Sequence, residues 1–261
     1  MYTIRTIYKQ VDPDFAFFAN DHTFMISSHL CSYLEGRDPS IDLYAGHALK
    51  NKDTLFNSGA AGYILSRSTM KKLIEKWDAK DPHCVVEGDQ SDHPEMKWLQ
   101  GNPGLLTVSC LSSMGIKAID TREDGRFHRF HAFPLTRVVS GLVDSWYIQK
   151  HQVDMLPNNS LDKTYATLLT GPECCSKDTI SFHYVEAKEH KALFAVRNII
   201  LKSKHISDAQ LKEVMIQHWP AGKKELGHYS HGLPKVDDDV RWSWLLKTIR
   251  KLSTVETARD C

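Results

Sequence analysis

Phe15-Ala-Phe-Phe18, running through Ala19 into Asn20-Asp21-His22 and then Thr23-Phe24-Met25-Ile26, constrains this chain more than any other stretch. Four apolar residues are too few for a helix and read as a buried strand. In an open α/β sheet, side chains at the carboxyl end of a central strand face the ligand crevice. Asn20, Asp21 and His22 would then stand where a metal- or phosphate-handling group belongs. The plainer alternative is a polar turn between two strands. The triplet alone does not separate the two.

Either side of this stretch the apolar pattern is helical. Ile4, Ile7, Tyr8 and Val11 predict a short amphipathic helix running to Asp12-Pro13, so the chain reads as starting in mid-domain. Downstream, 26–34 reads as a helix with Leu30 and Tyr33 inward, closed by Gly36, and Asp42–His47 as a short strand. Gly59 and Gly62 flank two alanines, a pattern that lets backbone approach a ligand or another backbone closely. The segment lacks the dinucleotide fingerprint and the Lys-Ser pair of a phosphate loop. Ser66 is placed to cap a helix bearing Met70, Leu73, Ile74 and Trp77.

Between 78 and 104 the chain is polar, with Asp81, Glu87, Asp89, Asp92 and Glu95 mostly reading as a solvated face. Leu105–Ile119 suits strand or helix. Arg126–Phe133 interleaves aromatic and basic residues, which can stack bases. With a net charge of +1, no strong field recruits nucleic acid or an anionic membrane, so packing or a sugar-facing role is preferred there. Ile180–Val185 has strand character, with Ser181 and His183 on one face and Phe182 and Tyr184 on the other. Helices are expected over Glu189–Leu201, with Leu193, Phe194, Val196 and Ile200 inward, and over Asp208–Trp219. Asp237-Asp-Asp239 reads as a cap for a last helix rather than a metal triad. Asn158-Asn-Ser160 is a glycosylation sequon, meaningful only in a secreted chain.

Six cysteines, at 31, 84, 110, 174, 175 and 261, form no CxxC pair, which argues against a zinc ribbon or a thioredoxin-like motif. They suit free buried thiols or disulfides. Adjacent cysteines bond to each other only with strain, so Cys174 and Cys175 are each expected to have a distant partner. No apolar run approaches the roughly 18 residues that would span a bilayer, and the first residues do not read as a signal peptide.

Three segments, in order, resemble one family: Phe17-Phe-Ala-Asn-Asp-His-Thr-Phe-Met25, Phe56-Asn-Ser-Gly-Ala-Ala-Gly-Tyr-Ile-Leu-Ser66, and Gly171-Pro-Glu-Cys-Cys-Ser176 leading to Ile180-Ser-Phe-His-Tyr-Val185. The family is the Fringe-like β1,3-glycosyltransferases, and the nearest branch is the core 1 synthases. The resemblance covers roughly residues 1–200. It implies an α/β fold of the GT-A, Rossmann-like type, with the family's early nucleotide-binding strands lying ahead of residue 1. Residues 1–200 would be the C-terminal portion of that domain and 201–261 a helical extension.

The implied chemistry is inverting transfer of galactose from UDP-galactose to N-acetylgalactosamine on a glycoprotein. In the family a divalent metal, usually manganese, bridges enzyme and diphosphate. The family's Asp triplet falls on Asn20-Asp21-His22 and its metal-binding histidine on His183, so Asp21, His22 and His183 are the implied ligands. Asp92 falls on the family's catalytic base. Asn20, Ser58, Gly59, Trp146 and Tyr147 fall where donor or acceptor is held. Family members are type II membrane proteins of the Golgi lumen, so an anchor would lie upstream of this chain. That oxidising lumen makes Cys84, Cys110, Cys174 and Cys175 disulfide candidates, with fifteen pairings open to six cysteines. No nucleic acid partner is implied, and a homodimer is compatible. The altered triplet also admits a catalytically inactive paralogue or fragment that binds glycan or assists folding.

Overall fold

The computed structural model describes residues 2–51, 54–84, 103–141, 169–203, 205–219 and 238–253. The described elements begin with α1 (Tyr2–Gln10), β1 (Phe15–Phe18), β2 (Phe24–Met25), α2 (Ser27–Leu34), β3 (Tyr44–Gly46), β4 (Ala48–Asn51), β5 (Thr54–Asn57), β6 (Tyr63–Ser66) and α3 (Arg67–Asp78). They continue with α4 (Pro103–Ser113), β7 (Phe130–His131), α5 (Leu135–Ser140), β8 (Ser181–Phe182), α6 (Ala187–Lys202), α7 (Asp208–His218) and α8 (Asp238–Leu252). The fold mixes helix and sheet.

Phe15–Phe18 is a strand, as its apolar run predicts. Among the described residues β1 pairs only with β6, antiparallel, with Phe15 opposite Ser66 and Phe18 opposite Tyr63. β6 is the middle strand, with β3 on its far side. All four β1 residues are half-buried. Side chains alternate across this sheet as the pleat requires. Ala16, Phe18, Tyr44 and Leu65 face a core with α1, α3 and α4, while Phe15, Phe17, Ala45 and Ile64 face one with Leu30, Phe130 and Ile180. Ser66 caps α3, its hydroxyl accepting the Thr69 N–H at 3.3 Å.

A second small sheet carries the site. β8 lies between β2, antiparallel to it with Phe24 opposite Phe182, and β7, parallel to it with Phe130 opposite Ser181. Behind this sheet is the third core, where Phe24, Phe133 and Phe182 pack with Leu193 and Val196 of α6, Leu211 and Met215 of α7, and Trp242, Leu245 and Ile249 of α8. α7 and α8 are thus walls of the core that backs the site. No described helix is long and apolar enough to cross a membrane.

Four expectations change. β8 stops at Phe182 because Tyr184 takes a left-handed backbone (φ +58), turning the chain toward α6 and ending the alternation expected through Val185. Leu105–Ile119, which suited strand or helix, is helical only as far as Ser113, within α4. Phe194 is 61% exposed, not inward, because Leu193 and Val196 define the buried face of α6 and Phe194 falls beside it. Cys174 and Cys175 bond to each other rather than to distant partners. The tight turn from Gly171 (φ +87) buries both sulfurs in the third core, while Cys84 and Cys110 lie in another core and are bonded together. Arg126–Phe133 proves to be a packing segment: His128, Phe130, His131 and Phe133 are buried.

Candidate functional site

The three segments singled out in the sequence meet at one place. Asn20 and His183, 163 positions apart, are joined directly, Asn20 Nδ2 lying 2.8 Å from His183 Nε2. The turn after β1 is built around the Asn20 side chain. Its Oδ1 accepts the His22 backbone N–H at 3.1 Å and lies 2.9 Å from the Thr23 hydroxyl. That hydroxyl is also 2.9 Å from the Ala60 carbonyl, and its single proton serves one oxygen at a time. Ser181 in turn donates to the Ala61 carbonyl. The His22 carbonyl accepts the Val185 N–H at 3.0 Å, which fastens the triplet to the chain beyond β8.

Gly62 makes this junction possible. It sits at φ +85, and a Cβ there would fall 2.3 Å from Cζ of Phe17. Gly59, by contrast, is exposed at the tip of the turn, and a Cβ there would meet nothing within 4 Å. Ser58 is buried, and its hydroxyl accepts the Ala61 N–H at 3.4 Å. Asp92, Trp146 and Tyr147 lie outside the described residues.

Electrostatically the centre is neutral. His183 is 3% exposed, and burial pushes its pKa down to about 4; the Ala132 backbone opposes this and the His22 imidazole adds to it. The side chains of Asp21 and His22, 91% and 63% exposed, face solvent beside it. His190, in the first turns of α6, is a site neighbour that sequence reasoning missed. Burial lowers its pKa and nearby His22 lowers it further, and its ring meets Phe24 edge-on at 5.4 Å. Its one signal was its place seven residues after His183, at the start of a helix.

The lowered histidines make stability depend on pH with a definite sign. A histidine whose folded pKa lies below its unfolded value binds its proton preferentially in the unfolded chain. For His183 the stabilisation is complete above about pH 6.5 and is lost as pH falls toward about 4. His29, His131 and His190 shift in the same direction. The thermal midpoint is therefore expected to fall steadily on acidification through that window. A flat profile would mean that these rings take up protons as freely folded as unfolded.

The manganese site implied by the resemblance does not match these residues. Asn20 donates into the Nε2 lone pair that a metal bond to His183 would use. Manganese also prefers hard oxygen donors, and two of the three triplet positions carry an amide and an imidazole. The cluster's hydroxyl, amide and glycine-turn carbonyls bond one another, which holds the three segments together.

No family model matches the chain. The chain is similar to glycoprotein-N-acetylgalactosamine 3-beta-galactosyltransferase 1 of Xenopus laevis, at 25% identity over 183 residues. The aligned region is 68% of this chain and 43% of that relative's length. This similarity supports a relationship to glycosyltransferases.

Proposed function

We propose that the chain acts as a glycosyltransferase, moving galactose from UDP-galactose to the 3-hydroxyl of N-acetylgalactosamine on a glycoprotein, with inversion. The reading rests on the direct contact between Asn20 and His183, which draws the triplet, the glycine-rich turn and the Ser-Phe-His-Tyr segment into one site. The galactosyltransferase relative supports the same class of reaction, a nucleotide-sugar donor and a glycoprotein acceptor. On this reading the fold is the C-terminal portion of a GT-A domain.

The step this requires is a single displacement. The acceptor hydroxyl attacks the anomeric carbon from the face opposite UDP, the carbon–oxygen bond to the diphosphate breaks, and the hydroxyl proton passes to a base. Asp92 is assigned as that base, since a positioned carboxylate within hydrogen-bond reach suits it. Asn20, Ser58 and Gly59 would hold donor hydroxyls, and Trp146 and Tyr147 would stack on the acceptor sugar. Two disulfides, Cys84–Cys110 and Cys174–Cys175, support an oxidising compartment such as the Golgi lumen.

Purified protein given UDP-galactose and an N-acetylgalactosamine-bearing peptide in manganese-containing buffer is expected to release UDP and form a β1,3-linked disaccharide. A second reading, a non-catalytic glycan-binding or chaperone-like relative, is favoured by the amide that fills the triplet's first position. Binding of the glycopeptide without UDP release would select it over transfer.

A further inference from the structure

We infer that Asn20 locks His183 out of metal coordination, so that the chain holds no resident divalent cation here, and that a carboxylate at position 20 would open the site to one. The inference holds whether the chain transfers sugar or only binds it, because it concerns one lone pair. An amide NH2 can only donate, so the 2.8 Å contact makes His183 Nε2 the acceptor, unprotonated and already engaged. A cation bound to His183 at that nitrogen would need the same electrons.

The amide cannot simply turn over to release it. Its Oδ1 is held by the His22 backbone N–H at 3.1 Å. A flipped Asn20 would lose that bond and set Nδ2 against the N–H, donor facing donor. The Thr23 hydroxyl, 2.9 Å from the same oxygen, adds a second restraint on that orientation. An aspartate differs at the decisive point. One carboxylate oxygen keeps the His22 N–H, while the other comes to face the His183 lone pair. That oxygen can take a proton from Nε2 or, once the proton is displaced, share a divalent cation with it, whereas the Asn20 amide can do neither, and hard oxygen suits the cation. Asp21 and His22 are solvent-exposed, so water can supply the remaining ligands of a cation held by His183 and a carboxylate at position 20. Among the described residues no three His, Cys, Asp or Glu side chains are grouped to hold a metal as the chain stands. Asn20 is therefore a residue that decides metal use.

The test uses manganese alone as the probe, read by the electron paramagnetic resonance signal of the free ion. Wild-type protein is expected to leave that signal unchanged at concentrations where Asn20→Asp takes up one equivalent, a gain of at least about tenfold in affinity. Adding His183→Ala to Asn20→Asp should return the titration to the wild-type result. Wild-type protein binding one manganese ion as tightly as Asn20→Asp would overturn the lock, as would a folded Asn20→Asp that gains nothing. Should Asn20→Asp fail to fold, the wild type decides alone through the 15N resonances of the His183 ring. An Nε2 acceptor shift that manganese leaves unbroadened upholds the lock; selective broadening of that ring overturns it.

Discussion

If the chain transfers galactose as proposed, Asp92→Asn is expected to lower that transfer by about 10²- to 10⁴-fold, the range that a positioned general base contributes. UDP binding should stay within about twofold of wild type, because the change removes a proton acceptor without altering shape. The reason is the chemistry of the acceptor. A sugar hydroxyl is a poor nucleophile until its proton leaves, and a neutral amide, its nitrogen lone pair delocalised into the carbonyl, is far too weak a base to take it. Equal loss of transfer and UDP binding would move Asp92 from proton transfer to donor binding. Unchanged transfer would remove it from the site.

Gly62→Val is the substitution expected to cost the most stability, about 4 kcal/mol or more. Two penalties add: a β-branched residue forced to φ +85, and a Cβ placed 2.3 Å from Cζ and 2.6 Å from Cε2 of the Phe17 ring. At about 2–4 °C per kcal/mol for a chain of this size, the thermal midpoint should fall by about 10 °C. Gly59→Val is the matched control. Its Cβ would enter open space without a left-handed backbone, so its midpoint should stay within about 2 °C of wild type. Similar losses at both positions would mean that the turn, rather than the contact of Gly62 with Phe17, sets the cost. The displaced Phe17 ring lies three residues before Asn20, so the same change should also disturb the site.

Local features of the fold were legible because they depend on neighbours along the chain. The spacing of Met70, Leu73, Ile74 and Trp77 identified the buried side of α3, and all four are buried. The serine before them does cap that helix. Whether β1 is central or at an edge depends on which distant strand pairs with it, and four apolar residues carry no such information. The same limit applies to the site. No spacing rule connects Asn20 with His183; only the family resemblance placed them together. The direction of the Asn20 amide follows from the His22 N–H, a backbone atom common to every residue, so no residue type announces it. His190 went unnoticed because an imidazole on a helix face has no pattern of its own. For the adjacent cysteines, nothing local shows that Cys84 and Cys110 bond to each other in a separate core and so are not available to them.

The parallel pairing of β7 with β8 joins residues 130–131 to 181–182, and β2 reaches the same strand from residue 24. Closing such distant segments is slow compared with winding helices, since chain entropy is lost before the contacts that reward it can form. Helical signal should therefore return well ahead of ligand recognition when the denatured chain is allowed to recover. An interruption of synthesis before α8 would leave Asn20 and His183 in front of a core that lacks one of its helical walls.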